Sequence, residues 1–292
     1  MPNISKINAL DIGNIAKVDG ATSSNIAKVD GLDFVTFTGL LDTYTGAAAG
    51  YSVRRIASSA TNLMRIREDS GDTETDIGYD SNGDLDTAAI ATHCGSANGY
   101  VVTWYDQANI GGTPNNATQS TASAQPQIYN GTAVITENGK PALDTNTAGQ
   151  KLIVSSPTTL SQPYTVVGVA AGSLNNPYHS ANSRIFQTAS NLRLSAQTQM
   201  TLSINATPQC LFFAVPNSTS SFLAGSTSTT QTSTTGDAGT DSLALNNTEL
   251  GNRELFDNGG LQQELIFWDS DQNAAGNRTG IETDINGYFS IF

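Results

Sequence analysis

Apolar and polar positions alternate with a period of two along much of this chain, the period of a half-buried strand rather than of a helix. Leu192, Leu194, Ala196, Met200, Leu202 and Ile204 are apolar and their neighbours mostly polar, as on one face of a strand pair. Gly99-Tyr100-Val101-Val102-Thr103-Trp104-Tyr105 and Tyr164-Thr165-Val166-Val167-Gly168-Val169 are β-branched and aromatic runs bounded by turn residues, which predicts two further strands. Leu211 to Val215, Leu243 to Leu245 and Leu261 to Trp268 continue the series. Val134 to Glu137 and Pro141 to Leu143 flank Asn138-Gly139, the dipeptide that suits a two-residue hairpin turn. Helical spacing occurs at two places. One is Leu85 to His93, with Asp84 as the expected cap; the other is Ile281, Ile285, Tyr288 and Phe289, an apolar stripe near the end of the chain. The pattern predicts an all-β sandwich with a short C-terminal helix packed against it.

The first 33 residues follow a different rule. Asn3, Asn14 and Asn25 each open the phrase Asn-Ile-[Ser/Ala]-Lys-[Ile/Val]-[Asn/Asp]-[Ala/Gly], eleven residues apart. Asp19-Gly20 and Asp30-Gly31 break each unit where a helix would have to continue, so each phrase reads as a short strand ending in a turn. Such strands bury too little to stand alone. The expected organisation is therefore a small N-terminal β-repeat arm, residues 1–33, followed by a sandwich, residues 34–292. Ile4, Ile7, Ile15, Lys17, Val18, Ile26, Lys28 and Val29 are the candidate partner-binding residues of the arm, and a homo-oligomer or a larger assembly is the expected partner.

The chain has 292 residues and carries 26 acidic groups against 13 Lys and Arg, for a net charge of −13. Nucleic-acid binding depends on clustered Lys and Arg that replace condensed counterions, so nucleic-acid and anionic-membrane partners are set aside. The N-terminus has no apolar core of signal-peptide length, and no run of about 18 apolar residues occurs; synthesis in a cytoplasm without membrane insertion is expected. Ser226 to Thr235 is nine Ser or Thr and one Gln, a composition suited to exposed β-structure.

Candidate chemistry is sparse. Cys94 and Cys210 are too far apart in sequence for a Cys-x-x-Cys metal cluster; two buried free thiols are the expected reading, with a disulfide between them as the alternative. His93 and His179 have no metal-spaced partners around them. Asp80, Asn82, Asp84 and Asp86 put oxygens at alternate positions, as a Ca²⁺ loop does; a turn and helix cap built from the same residues is the competing reading. No other cofactor is expected. Trp104 and Trp268 lie inside apolar runs and read as core, whereas Tyr178, in Asn175-Asn176-Pro177-Tyr178-His179, is the candidate for stacking on a glycan. Arg54-Arg55 is expected to pair with Asp106.

Tyr51-Ser52-Val53-Arg54-Arg55, Asp76-Ile77-Gly78, Trp104-Tyr105-Asp106-Gln107 with Asn116-Ala117-Thr118-Gln119, and Asn138-Gly139-Lys140-Pro141-Ala142 together resemble the catalytic domain of the α-L-arabinofuranosidase B family. Phe213 to Leu223, Gln263 to Asp269 and the Ile281 to Tyr288 segment are similar to the closing part of laminin-G-like domains. These resemblances imply a concanavalin-like jelly-roll sandwich. The matched stretch lies upstream of the family's catalytic carboxylates, and no residue of the latter half matches them. The Asn-Ile-x-Lys-Val-Asp-Gly phrases resemble the start of tailed-phage structural proteins.

Taken together, these readings give an expected function as a non-enzymatic structural protein of a phage virion. It would be displayed as a head decoration or a fibre or tail component and anchored to other virion proteins through the repeats. Two alternatives stand beside it: a carbohydrate-binding adhesin for host surface glycans, and an arabinofuranosidase-like glycoside hydrolase.

Overall fold

The computed structural model describes residues 37–292 except 110–111, 148, 156–157, 173–177, 180–182, 189–190, 205–208, 246–247 and 252–259. Of residues 1–36, and of the strands Tyr178–His179 and Ser183–Thr188, it describes strand backbone.

Two antiparallel sheets face each other. The first runs, neighbour to neighbour, Ala47–Ser52, Gly260–Trp268, Thr165–Gly172, Cys210–Val215, Ser221–Ser226 and Gln231–Gly236. The second runs Glu74–Ile77, Met64–Glu68, Asn98–Trp104, Ala117–Thr118, Lys151–Val154, Thr248–Gly251, Tyr178–His179, Ser183–Thr188, Asn191–Ala196 and Thr198–Ser203. Gln127–Asn130 and Leu143–Asp144 carry the pairing from the second sheet to the first. The alternation read from sequence is that of the second sheet: Leu192, Leu194, Ala196, Met200, Leu202 and Ile204 are all buried.

Trp104, Trp268, Tyr51, Tyr164, Phe212, Phe213 and Phe267 are each fully buried, and neighbours in one strand such as Phe212 and Phe213 fill the two opposite faces of the first sheet. Burying one such side chain contributes roughly 1.5–3 kcal/mol. Both tryptophans also satisfy their indole N–H, Trp104 on the Ser52 carbonyl and Trp268 on the Tyr44 carbonyl, each at 3.1 Å. Core packing, as expected for both, is thereby combined with a hydrogen bond across elements. Cys94 and Cys210 are buried free thiols.

Helix α1 spans Leu40–Thr43, α2 Thr87–Cys94 and α3 Arg278–Phe289. The cap of α2 is Asp86, whose carboxylate accepts from the Ala89 N–H at 2.9 Å, not Asp84, because the helix begins two residues later than the sequence pattern indicated. Helix α3 buries Ile281, Ile285 and Phe289, the predicted stripe. The Asn138-Gly139 turn has φ of 48° and 74° and joins Thr136–Glu137 to Lys140–Pro141, as a hairpin turn with two positive φ values requires.

In the arm, the repeat becomes three hairpins of one register. Lys6 pairs with Asp11, Lys17 with Thr22 and Lys28 with Asp33. Asn3–Ile4 returns in parallel to the strand Leu32–Phe34, so the first and last strands of the arm are neighbours. Ile4, Ile7, Lys17, Val18, Lys28 and Val29 sit in these strands, and Ile15 and Ile26 lie outside the described residues.

Candidate functional site

Burial separates the two sheets. Cys210–Val215 is buried at every position, and Thr165–Gly172 and Gly260–Trp268 nearly so. The central strands of the first sheet are therefore covered on both faces, by the second sheet and by the segments that include α3, while its edge strand Gln231–Gly236 is exposed. In the second sheet, Lys151–Val154 and Asn191–Ala196 alternate half-buried and buried positions. One face is core and the other is polar and reachable, the arrangement of an antiparallel sheet with a solvated side.

The register threads one continuous row along that outer face. Asp76 stands opposite Arg65, Arg65 opposite Thr103, Thr103 opposite Thr118 and Thr118 opposite Ile153. Beyond Ile153 come Glu249, His179, Arg184, Ser195 and Gln199 in turn. Ten strands at about 4.8 Å give a surface roughly 43 Å across. Opposed residues of antiparallel strands share a face, so this row brings together positions that are far apart in sequence, Asp76, Arg65, Thr118 and Glu249 among them.

Glu249 sits near its middle. Its Oε1 accepts from the Lys151 ammonium at 2.8 Å, and the two side chains are 22% and 20% exposed. Its Oε2 is buried and accepts no hydrogen bond among the described residues. A carboxylate held on one oxygen by a cation, with the other oxygen buried and unpartnered among the described residues, is an uncommon arrangement that marks Glu249 as a candidate functional group. At one end of the row Asp76 accepts from Arg65 Nε at 2.7 Å and Nη2 at 3.0 Å, and from the Tyr105 hydroxyl at 2.7 Å. The Arg65 hydrogen bonds hold the Asp76 carboxyl below its ordinary value. Burial first, then the Asp76 carboxylate, push the Tyr105 phenol up to about 12.

The other acidic residues that the sequence highlighted have structural partners. Asp106 is buried and organises backbone, accepting from the N–H groups of Gly50, Ala108 and Asn115 at 2.9 Å each. The expected pairing of Arg54 with Asp106 is corrected: Arg54 binds Glu264 at 2.9 Å and Asp284 at 2.7 Å. Asp106 has its oxygens filled by amides, whereas buried Glu264 has Arg54 and Ser52 as its partners. Asp80 closes a turn onto the Asn82 and Asp84 N–H groups, Asp84 faces Lys140 and Asp86 caps α2. The alternating oxygens thus have separate duties, and among the described residues no group of three or more His, Cys, Asp or Glu is arranged to hold a metal. His93 lies on the α2 surface with Nε2 3.1 Å from the Thr73 carbonyl. Tyr178 falls in the row Tyr178, Ile185, Leu194, Met200, and its neighbour His179 in the row of Glu249. Sequence reasoning missed Glu249 and Lys151. Alternation in Lys-Leu-Ile-Val and Thr-Glu-Leu would place each on a polar face, but their meeting depends on pairing across 98 residues.

No family model matches the sequence, and no curated protein does. Solved structures do. One is a GH54 α-L-arabinofuranosidase soaked with a cyclic sulfate inhibitor, with TM-score 0.64 and 16% identity. A second is a glutamate-to-glutamine variant of a GH54 α-L-arabinofuranosidase soaked with 4-nitrophenyl α-L-arabinofuranoside, with TM-score 0.63 and 16% identity. A third is an arabinofuranosidase complexed with arabinofuranosyl-α-1,2-xylobiose, with TM-score 0.62 and 17% identity. Each match covers 85% of this chain and 65% of the other, so this chain spans about two thirds of the length of the enzymes it resembles. The expectation of a non-enzymatic virion component is corrected: the solved structures that share this fold are arabinofuranosidases. The sandwich has the fold of the α-L-arabinofuranosidases.

Proposed function

We propose that this chain is a glycoside hydrolase acting on α-L-arabinofuranosides, with the outer face of its second sheet as the sugar-binding surface. The observation that carries this reading is the superposition of 85% of the chain on arabinofuranosidases, two of them holding an arabinofuranoside. Glycoside cleavage uses two carboxyl groups that flank the scissile bond, within about 10 Å of one another in either stereochemical class. Glu249 supplies one, as nucleophile or base: it is central on the open face, anchored by Lys151 and has an unpartnered oxygen. Asp76 is five strands away, about 24 Å, and is too distant to be its partner. The segment 252–259 follows the Glu249 strand in sequence and contains Glu254 and Asp257, the acidic residues to substitute in the search for the acid. Lys151 acts as a positioning residue that fixes the Glu249 carboxylate.

Release of 4-nitrophenol from 4-nitrophenyl α-L-arabinofuranoside tests the reading. The wild type should hydrolyse it, and Glu249→Gln should be at least ~100-fold slower, the usual scale for losing a general acid or base. Glu254→Gln and Asp257→Asn identify the second carboxyl. Folded wild-type protein that releases no nitrophenol sinks the hydrolase reading, and an unaltered rate in Glu249→Gln removes that residue from it.

A further inference from the structure

On the side of the molecule where α3 packs, a cleft of about 160 Å³ opens between the start of the sandwich and the helix, lined among others by Phe37, Arg54, Asn82, Asp84, Asp284 and Tyr288. A water occupies about 30 Å³ of liquid volume, so the cleft has room for roughly five waters or one sugar ring. We propose that this cleft is a second saccharide site, separate from the outer face of the second sheet, and that it takes a single neutral monosaccharide unit of a glycan.

Its walls are preorganised. The Arg55 guanidinium is stacked between the Phe37 and Tyr79 rings at 4.5 and 4.4 Å, which fixes Phe37 as one side. Tyr288 lies between the Lys140 ammonium, 3.8 Å from its ring centroid, and the Arg54 guanidinium at 5.1 Å. Arg54 is in turn held by buried Glu264. Rings clamped in this way lose little freedom when a ligand packs on them.

Its open hydrogen-bonding groups suit hydroxyls. Asp84 and Asp284 are 35% and 40% exposed, and each uses one oxygen on a cation, Lys140 and Arg54 respectively. Both carboxylates stay partly exposed at the cleft, and the buried Tyr288 hydroxyl faces Asp84 without a hydrogen bond of ordinary length. Two carboxylate oxygens and a phenol are the acceptors and donor that neighbouring ring hydroxyls match.

The charges decide against an ion. Arg54, Arg55 and Lys140 stand against Glu264, Asp84 and Asp284 around the cleft, so the site is balanced before any ligand enters. A neutral polyol leaves that balance intact, whereas a cation or an anion would have to displace one of the pairs.

Saturation-transfer NMR and calorimetry of the full chain with L-arabinose, D-xylose and D-galactose test the proposal. At least one sugar should bind saturably in the millimolar range. Thr38→Trp, an exposed position at the cleft, should abolish binding there without lowering the melting temperature. Tyr288→Phe should weaken it several-fold. Glu249→Gln, on the opposite sheet, should leave it unchanged. Binding that survives Thr38→Trp, binding lost in Glu249→Gln, saturable binding of CaCl₂ or phosphate in place of sugar, or no saturable sugar binding would each overturn it. Because the hydrolase assay reads the other face, either idea can fail alone.

Discussion

Arg54 and Glu264 are 210 residues apart in sequence, and the Arg54 Nε donates to Glu264 Oε2 at 2.9 Å while its Nη2 reaches Oε1 at 3.2 Å. Glu264 is fully buried and shares Oε2 with the Ser52 hydroxyl at 2.7 Å. The same guanidinium extends to Asp284 on α3, so one side chain ties two neighbouring strands of the first sheet to the closing helix.

Breaking this pair from one side should cost far more than removing it whole. Arg54→Met leaves Glu264 buried and uncompensated, which should lower stability by about 3–5 kcal/mol. Arg54→Met with Glu264→Leu should be more stable than Arg54→Met alone. Asp284→Asn, at a half-exposed site, should cost about 1 kcal/mol or less. Urea unfolding of these three variants and of Glu264→Leu alone measures all of this; an additive double variant would show that the two residues are not coupled.

Asp76 gives a pH dependence of known sign. Arg65 holds its folded pKa below the unfolded value, near 3.9. The folded protein therefore favours the ionised form, and this contribution is complete above about pH 5 and is lost as pH falls through the folded pKa. The stability gap between wild type and Asp76→Asn should be widest at neutral pH and shrink toward pH 3. A gap that widens on acidification contradicts the assignment.

The two thiols should be inert in the native protein. Burial pushes Cys94 up to about 11 and Cys210 up to about 12, which suppresses the reactive thiolate. A disulfide reagent at pH 8 should label neither on mixing and both in denaturant. Rapid native labelling of either cysteine would show that its strand or helix opens locally.

Gly168 is needed for contact rather than for backbone freedom. A Cβ there would lie 2.5 Å from Phe212 Cζ and 2.8 Å from the Glu264 carbonyl oxygen. That oxygen belongs to a paired strand and has little room to retreat. Gly168→Ala should cost about 1–3 kcal/mol, read as a lower melting temperature; an unchanged value would mean that the central strands part more easily than their packing implies.

Local pattern by itself determined a good deal of this protein. The period of two gave the strands of the second sheet, Asn138-Gly139 its hairpin, the Ile281, Ile285, Phe289 stripe its helix, and the eleven-residue repeat a series of short strands with turns. Each of these depends on residues within a few positions of one another, where backbone sterics and side-chain direction act directly. The tertiary structure decided the rest. It gave Arg54 to Glu264 rather than Asp106, set Glu249 beside Lys151, put His179 and Arg184 in the same row, and left one sheet face open while α3 helped to close the other. Those outcomes depend on register between strands remote in sequence, and a slip of one residue would send every side chain to the opposite face. Propensity along the chain carries no record of that register, because it is fixed by which faces bury together.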